Sequence, residues 1–412
     1  MKATQGVVAG IDVGTTKVCA MIATLAPARI VGAGCVPCEG LKKGVVVNAE
    51  KTTQALSDAV AEAGRTAGVK IAEALIGIGG DHVRGLNRRE IVAVGRANGE
   101  VRESDVRRLS DSARKAALSS ERTILHTLPQ QFVVGGEGGI KDPVGMTGGR
   151  LEGYFHLVTG SSAAIGSLAR CTRRAGIRAL EFVPLAYASS LAVITPDEYE
   201  SGVALIDIGA GTTGVAVFRD GAPRHVGVLP VGGWHITNDI AIGLDVSPAD
   251  AEAMKLEHGW ILAGLGESGR EISIRGSNGG GTRIVSAEVL GSIIGPRVEE
   301  ILSLAAAQIA ENDLSESIRA GVVLTGGTSR LPEITSLAER IFEMPVRLGR
   351  AHGVDGISEG LEDPRFAAAV GLARYGIERE VTAKDPSAIA HAPAGAVGKK
   401  FGEVTEWIKD FF

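Results

Sequence analysis

The chain has 412 residues, enough for roughly two or three domains, and 44% of them are hydrophobic, so sizeable cores can form. Its 43 basic residues against 48 acidic ones leave a formal charge of −5, which lacks the basic footprint of a nucleic-acid binder. Residues 1–13 lack the charged-then-apolar order of a secretory signal, and no apolar run is long enough to span a bilayer, so a cytosolic protein is expected.

At residues 9–23 the sequence AGIDVGTTKVCAMIA reads as two buried strands joined by a short turn, with Asp12 closing the first strand. A further apolar strand is expected at 29–34, and Asn48 is placed to cap a helix that turns Ala55, Leu56, Ala59, Val60 and Ala63 inward. Residues 74–79, ALIGIG, close this unit as a buried strand, in the order of an α/β layer domain. Cys35 and Cys38 form a C-x-x-C. No second pair or nearby histidine completes a zinc set and no helical pattern follows, so incidental thiols of a reducing compartment are expected.

From about 81 to 160 the texture changes. Charged residues crowd, among them Arg84, Arg88, Arg89, Arg107 and Arg114, and alternating strands flank one helix over 104–118 with Val106, Leu109 and Ala113 on one face. A separate small α+β insertion is expected, its exposed strands facing either solvent or another chain. Ser161 and Ser162 then cap a helix that ends at Arg173, Arg174 and Gly176.

Residues 203–218, VALIDIGAGTTGVAVF, repeat the opening pattern, with Asp207 at the end of the first strand. Asp12 matches Asp207, Gly14 matches Gly209, and Thr15 and Thr16 match Thr212 and Thr213 across a two-residue insertion, Ala210 and Gly211. Either copy alone is also an ordinary hairpin with Asp in its turn, but two copies in one chain imply two related halves. Glycines let such turns present successive N–H groups to an anion, and threonine hydroxyls add donors, so the turns suit a phosphate. A carboxylate does not face phosphate directly, so Asp12 and Asp207 are read as holding Mg2+ between protein and phosphate, through water.

Gly232 and Gly233 precede a helix whose N-terminus faces a phosphate in this reading. Ser247, Pro248 and Asp250 start the next helix, where Glu252 and Lys255 share a face, as a surface ion pair or a ribose contact would. Residues 261–282 are glycine-rich and polar, hence loops and a short hairpin, and 286–311 is a long helical pattern bent at Pro296. GVVLTGGTSRLPEI, at 321–334, is a buried strand ending in Gly326 and Gly327, followed by a helix with Pro332 in its first turn; glycines there let a base or ribose lie against the backbone.

IDVGTTK, ALIDIGAGTTGVAVF and VVLTGGTSRLPEI, in this order, resemble the two phosphate motifs and the adenosine motif of the actin, sugar-kinase and heat-shock-chaperone ATPases. GIKDPVGMTGGRLEGYFHLVTG, VGGWHITNDIAIGL and DAEAMKLEHG are similar to the bacterial FtsA family in particular, and the resemblance covers residues 7–377. It implies an α/β, actin-like (ribonuclease H-like duplicated) fold, two halves around a nucleotide cleft with an inserted small α+β subdomain. Subdomain IA would take 1–80, 161–199 and 358–380, IC 81–160, IIA 200–240 and 301–357, and IIB 241–300. ATP and Mg2+ would lie in the cleft. Asp12, Gly14, Thr15, Thr16 and Lys17 would form the first phosphate loop, and Asp207, Gly209, Gly211, Thr212 and Thr213 the second, with Gly233 beside it. Glu252 and Lys255 would face the ribose, and Gly326, Gly327 and Thr328 the adenosine. In such ATPases a Gln, Glu or Asp near the first crossover orients the attacking water. Here that stretch reads EFVPLAYASS with Glu181 two residues before Val183, so no catalytic residue is assigned.

The resemblance further implies a protein that polymerises on the inner face of the cytoplasmic membrane at the division site, tethers the tubulin-like protein FtsZ by its C-terminal tail and recruits later division proteins. Another actin-like filament former is the competing reading, and a kinase of the same superfamily a weaker one. In IIB the tail would meet Arg297, with Ile293 and Glu300 on either side, where a solvated arginine is the plain alternative. Residues 381–398, rich in Ala, Pro and Gly, are expected to form a flexible tether. Over 399–412, Phe401, Val404, Trp407, Ile408, Phe411 and Phe412 fall within an arc of about 140° at helical spacing, opposite Glu403, Glu406, Lys409 and Asp410. Such a helix is expected to lie in the membrane interface, docking on the body of the protein being the alternative.

Overall fold

Strands that are apolar on both faces must be covered on both, and the chain meets this with two five-stranded sheets layered between helices. The structure, a computed structural model, describes residues 6–95, 98–117, 119–261, 271–275, 282–356 and 360–384. In the first half β1 (Val7–Val13), β2 (Lys17–Leu25) and β3 (Ala28–Pro37) form an antiparallel meander. After a short pair, β4 (Leu41–Lys42) and β5 (Val45–Val46), the Asn48 side chain caps α1 (Ala49–Ala67) by accepting from the Lys51 N–H, and β6 (Glu73–Ile78) runs parallel to β1. The insertion then makes its own antiparallel sheet from β7 (Arg84–Ala93), β8 (Arg122–Val134), β9 (Glu137–Ile140) and β10 (Arg150–Ser161), in the order β7-β10-β8-β9, with α2 (Glu103–Ala117) packed on it. Ser161 caps α3 (Ser162–Arg174), and β11 (Arg178–Pro184) completes the first sheet, ordered β11-β6-β1-β2-β3.

Helices α4 (Leu185–Val193) and α5 (Pro196–Ser201) lead into the second half. There β12 (Val203–Ile208), β13 (Thr213–Arg219) and β14 (Ala222–Leu229) form another meander. Next come α6 (Gly233–Gly243), α7 (Pro248–His258), the hairpin of β15 (Glu271–Arg275) and β16 (Thr282–Ser286), and α8 (Ala287–Glu311). Strand β17 (Val322–Thr325) pairs parallel with β12, α9 (Ile334–Phe342) and β18 (Val346–Leu348) follow, and α10 (Ala367–Lys384) closes the described chain. The order β14-β13-β12-β17-β18 has the topology of the first sheet: three meander strands, then two parallel ones.

The sequence repeat is therefore a duplication of half the fold, with one correction. Val13 pairs with Val18 and Ile208 with Thr213, so the two turns are equally long, and Gly14 N–H donates to Lys17 O at 2.9 Å as Gly209 N–H does to Thr212 O at 2.9 Å. The expected two-residue insertion does not exist. Lys17 occupies the place of Thr212, and Val18 that of Thr213, because strand register rather than side-chain likeness sets the equivalence.

Alternation along the strands decides which side chains enter the middle. Val203 and Leu205 of β12 pack with α4 and α10 between the sheets, whereas Ala204, Ile206 and Ile208 face α6, α8 and α9. In β1, Ala9, Ile11 and Val13 pack outward with α1 and α3. Asp12 and Asp207 therefore both point into the middle layer.

Four boundaries differ from expectation. α6 crosses residue 240 and α8 crosses 300, because the apolar row Leu290, Ile294, Val298, Ile301, Leu302, Ala305 and Ile309 continues past that border as one packing face. Pro332 precedes α9 rather than lying in its first turn, the residues after β17 forming a 3-10 turn, Gly327–Arg330. α10 extends to Lys384, so residues 381–384 are helical rather than tether. The rest of the expected tether and the segment bearing Phe401, Val404, Trp407, Ile408, Phe411 and Phe412 lie outside the described residues.

The insertion is sewn to the edge of the second sheet. His156 of β10 accepts from Val226 N–H of β14 through Nε2 at 3.0 Å, while its Nδ1 meets Asn87 Oδ1 at 2.7 Å. Asn87 donates to Arg224 O at 3.3 Å and Gln130 to Pro223 O at 2.9 Å. These partners require a neutral imidazole with its proton on Nδ1. Burial, helped by His225 nearby, lowers His156 to about 3, and burial lowers His225 to about 4. An unfolded histidine titrates near 6.5, so below that pH the unfolded chain takes up protons that the seam refuses, and stability falls with pH towards the folded values. Each histidine is expected to cost about 2 kcal/mol on going from pH 7 to pH 5. Urea unfolding of the wild type and of His156→Gln at both pH values checks this: the variant, less stable at pH 7, should lose less on acidification.

Candidate nucleotide cleft

Asp12 and Asp207 stand at the ends of equivalent strands and face one another across the middle layer. Asp12 is 5% exposed, and burial pushes its carboxyl upward against the pull of Lys17. Its Oδ2 lies 3.5 Å from Lys17 Nζ, and its Oδ1 is buried without a hydrogen-bond partner. Asp207 is pushed up to about 6, first by burial and then by the charge of Asp12, although Ser189 of α4 donates to its Oδ2 at 2.6 Å and opposes the rise. Two crowded carboxylates with an orphaned oxygen fit a hard divalent cation. Among the described residues no group of three or more His, Cys, Asp or Glu is placed to hold a metal ion.

The two turns touch. A Cβ on Gly211 would stand 2.5 Å from Thr15 Oγ1, so only glycine permits this approach. Gly14, Thr15, Thr16 and Lys17 line one side, and Gly209, Gly211 and Thr212 the other. Thr213 does not join them: it is buried, and its hydroxyl donates to Val231 O at 2.8 Å, which fixes the strand behind the turn. The α6 N-terminus is not free for an anion either. Gly233 N–H donates to Gly209 O at 2.9 Å and Trp234 N–H to Ala210 O at 2.7 Å, so its first amides support the second turn.

Gly233 is instead a junction. A Cβ there would stand 2.4 Å from Thr328 Oγ1, and its carbonyl accepts from Lys255 Nζ at 3.2 Å. Lys255 also donates to Glu252 at 2.7 Å and to Thr237 Oγ1 at 2.9 Å, and Thr237 donates to Glu252. At 7% exposure Lys255 is no surface partner, and burial lowers its amine. Thr328 donates to Gly209 O at 3.2 Å and so fastens the turn of Gly326 and Gly327 to the second glycine turn.

Several cleft residues carry no sequence signal. Ser189 lies in an apolar helix and gains its role only by facing Asp207. Asp363, Arg365 and Phe366 form a strap over the opening: Lys17 Nζ donates to Arg365 O at 2.7 Å and lies 5.1 Å from the Phe366 ring centroid, and Gly326 N–H donates to Pro364 O at 3.2 Å. Arg330 and Arg365 both pair with Asp363, each at 3.2 Å. Glu181 belongs elsewhere, its carboxylate held by the Tyr375 hydroxyl at 3.0 Å and by Arg379 at 3.4 Å, with the neutral His126 Nε2 3.4 Å away and without a hydrogen bond. Arg297 is not a free cation. It binds Asp239 of α6 at 2.5 Å and also Glu300, while Ile293 packs half-buried by Gly243 and Ile242 is 74% exposed nearby on α6.

Residues 204–371 match the family model for cell division protein FtsA, and residues 80–159 the model for the SHS2 domain inserted in FtsA. The cell division protein FtsA of Pseudomonas aeruginosa is 39% identical over 90% of this chain and 90% of its own length. The chain belongs to the FtsA family. FtsA of Escherichia coli K12 is 30% identical over the full length of both chains. Among solved structures, a PilM–PilN type IV pilus biogenesis complex superposes with a TM-score of 0.65 at 18% identity, covering 90% of this chain and 98% of that one. MreB5 of Spiroplasma citri bound to ADP gives 0.58 at 14%, covering 95% and 100%. The fold is thus actin-like, and the four-stranded insertion is the SHS2 domain of an FtsA cell division protein. No helix among the described residues is long and apolar enough to cross a membrane.

The turn of Gly326 and Gly327 offers a sharp test of this packing. Gly326 has φ of +85°, and a Cβ there would stand 2.4 Å from Asp207 Oδ1, whereas a Cβ on Gly327 meets only Arg365 Cγ at 3.6 Å. Gly326→Ala is expected to lose about 2 kcal/mol or more, and Gly327→Ala well under 1 kcal/mol. Thermal unfolding of the two variants side by side checks the ordering.

Proposed function

We propose that this FtsA-family protein binds MgATP in the cleft, self-associates in that state, and tethers FtsZ to the inner face of the cytoplasmic membrane at the division site, where later division proteins join. The observation that carries the nucleotide reading is the Asp12–Asp207 pair, Asp12 buried and Asp207 half-buried, between two matching glycine turns. The orphaned Asp12 Oδ1 and the raised Asp207 favour a cation between them.

 Mg2+ at Asp12 and Asp207 would neutralise the crowded carboxylates and screen the phosphates from them. Gly14, Thr15, Thr16, Lys17, Gly209, Gly211 and Thr212 would surround the phosphates, with Glu252 and Lys255 toward the ribose and Gly326, Gly327 and Thr328 under the adenosine. Turnover is slow on this reading, because α4 carries no Asp, Glu or Gln and Glu181 is engaged by Tyr375 and Arg379.

Membrane attachment would come from residues 399–412, lying in the headgroup plane on the apolar side of Phe401, Val404, Trp407, Ile408, Phe411 and Phe412. One such helix binds weakly, so firm attachment needs linked copies. Cosedimentation with anionic vesicles separates the two activities. Asp207→Ala is expected to lose MgATP binding and ATP-dependent sedimentation together, and deletion of 399–412 to lose sedimentation while MgATP binding persists. Recruitment that survives the deletion would put the anchor elsewhere.

The FtsZ tail would dock on α6 and α8 around Ile293, Arg297 and Glu300, a surface supported by the exposed Ile242 beside the Arg297 ion pairs. Arg297→Ala is expected to weaken binding of the tail peptide about tenfold in a titration while MgATP affinity stays the same. Unchanged peptide affinity would move the docking surface elsewhere.

A further inference from the structure

Cys19 and Cys35 are register partners across β2 and β3, with Cα atoms 4.2 Å apart, and a disulfide joins them. The C-x-x-C partner Cys38 is instead free and buried, as is Cys171. Asp12 is in turn the register partner of Cys19, so Asp12, Cys19 and Cys35 form one row on one face of three strands. Lys17, two residues before Cys19 and on the same face, has Nζ 3.4 Å from Cys19 Sγ and 3.5 Å from Asp12 Oδ2. Cys19 is buried, whereas Cys35 is exposed on the edge strand. One sulfur is open to reagents and the other touches the phosphate-loop lysine.

We propose that Cys19 and Cys35 are a reversible dithiol–disulfide pair that sets the nucleotide affinity of the cleft through Lys17. This rests on the nucleotide reading above and on a cytoplasmic setting, where a disulfide with an exposed sulfur is of the exchangeable kind. Starting from the dithiol, Cys35 attacks a low-molecular-weight disulfide and one half of that reagent leaves as a thiol. Cys19 then displaces the second half from Cys35. Two electrons and two protons pass to the reagent, which becomes two thiols, and one internal S–S bond forms. Oxidised, the bond braces the hairpin that carries Gly14 to Lys17, and the disulfide sulfur 3.4 Å from Lys17 Nζ is too weak an acceptor to draw it from Asp12 and phosphate. Reduced, the brace is gone and Cys19 becomes a thiol, a stronger acceptor at the same place, which competes for Lys17, so nucleotide binding weakens.

The test uses the full-length protein equilibrated with oxidised glutathione or with a phosphine reductant, then alkylated after denaturation for mass analysis and, in parallel, titrated with MgATP. The expected result is alkylation of Cys38 and Cys171 alone after oxidation and of all four cysteines after reduction. Reduced protein should bind MgATP at least about threefold more weakly, a difference absent from Cys35→Ser and from Cys19→Ser. Alkylation of Cys19 or Cys35 in the oxidised sample, or equal affinity in the two states, overturns the inference. Absence of MgATP binding in both states overturns the nucleotide reading itself, and this inference with it.

Discussion

Two carboxylates that face each other from opposite sheets are the constraint on which the rest of the structure depends. Asp207 rises from 3.8 to about 6, a shift worth on the order of 3 kcal/mol, with burial as the larger cause and Asp12 as the second. Lys17 and Ser189 each relieve part of that cost, one by charge and one by a hydrogen bond. Neither removes it, because Asp12 Oδ1 stays without a partner. The halves close on each other comfortably only around something positive, and that requirement is what would join the fold to the proposed MgATP.

How much of this was legible in the sequence depended on the range of the interaction. Caps at Asn48, Ser161 and Ser247 are local, and each side chain accepts from an N–H three residues on, as its position implies. The duplicated sheets were legible because an aspartate closes the same apolar strand in both halves. Register was not. Matching Thr15 and Thr16 to Thr212 and Thr213 favours hydroxyl likeness over loop length, and it misplaced Lys17 and Thr213. The C-x-x-C drew attention to Cys38, whereas Cys35 meets Cys19 only through strand pairing. Ser189, Arg365 and Phe366 reach the cleft from distant segments, and no spacing in the sequence brings them together.

The insertion solves a second problem. β14 is an edge strand, and an edge with open N–H and C=O groups invites pairing with another chain. His156, Asn87 and Gln130 occupy Val226 N–H, Arg224 O and Pro223 O, so the SHS2 domain covers that edge with side chains rather than with a further strand. The same contacts cross from the insertion to the second half. Any opening of the cleft must either leave this seam intact as a pivot or break hydrogen bonds that are buried at His156.

The cleft and the seam respond to pH in opposite directions. At the seam the folded histidines refuse protons that the unfolded chain accepts, so the seam weakens as pH falls below about 6.5. At the cleft the folded Asp207 keeps a proton that the unfolded chain releases, so its penalty grows as pH rises from 3.8 through about 6 and is fully present at neutral pH. Acid relieves the cleft and damages the seam. At neutral pH the seam is sound, and the remaining penalty sits on the carboxylate pair, where a bound cation would take the role of the missing proton. Ligand binding at the pair then stabilises the folded chain as a whole, because anything that binds the native state alone shifts unfolding by mass action.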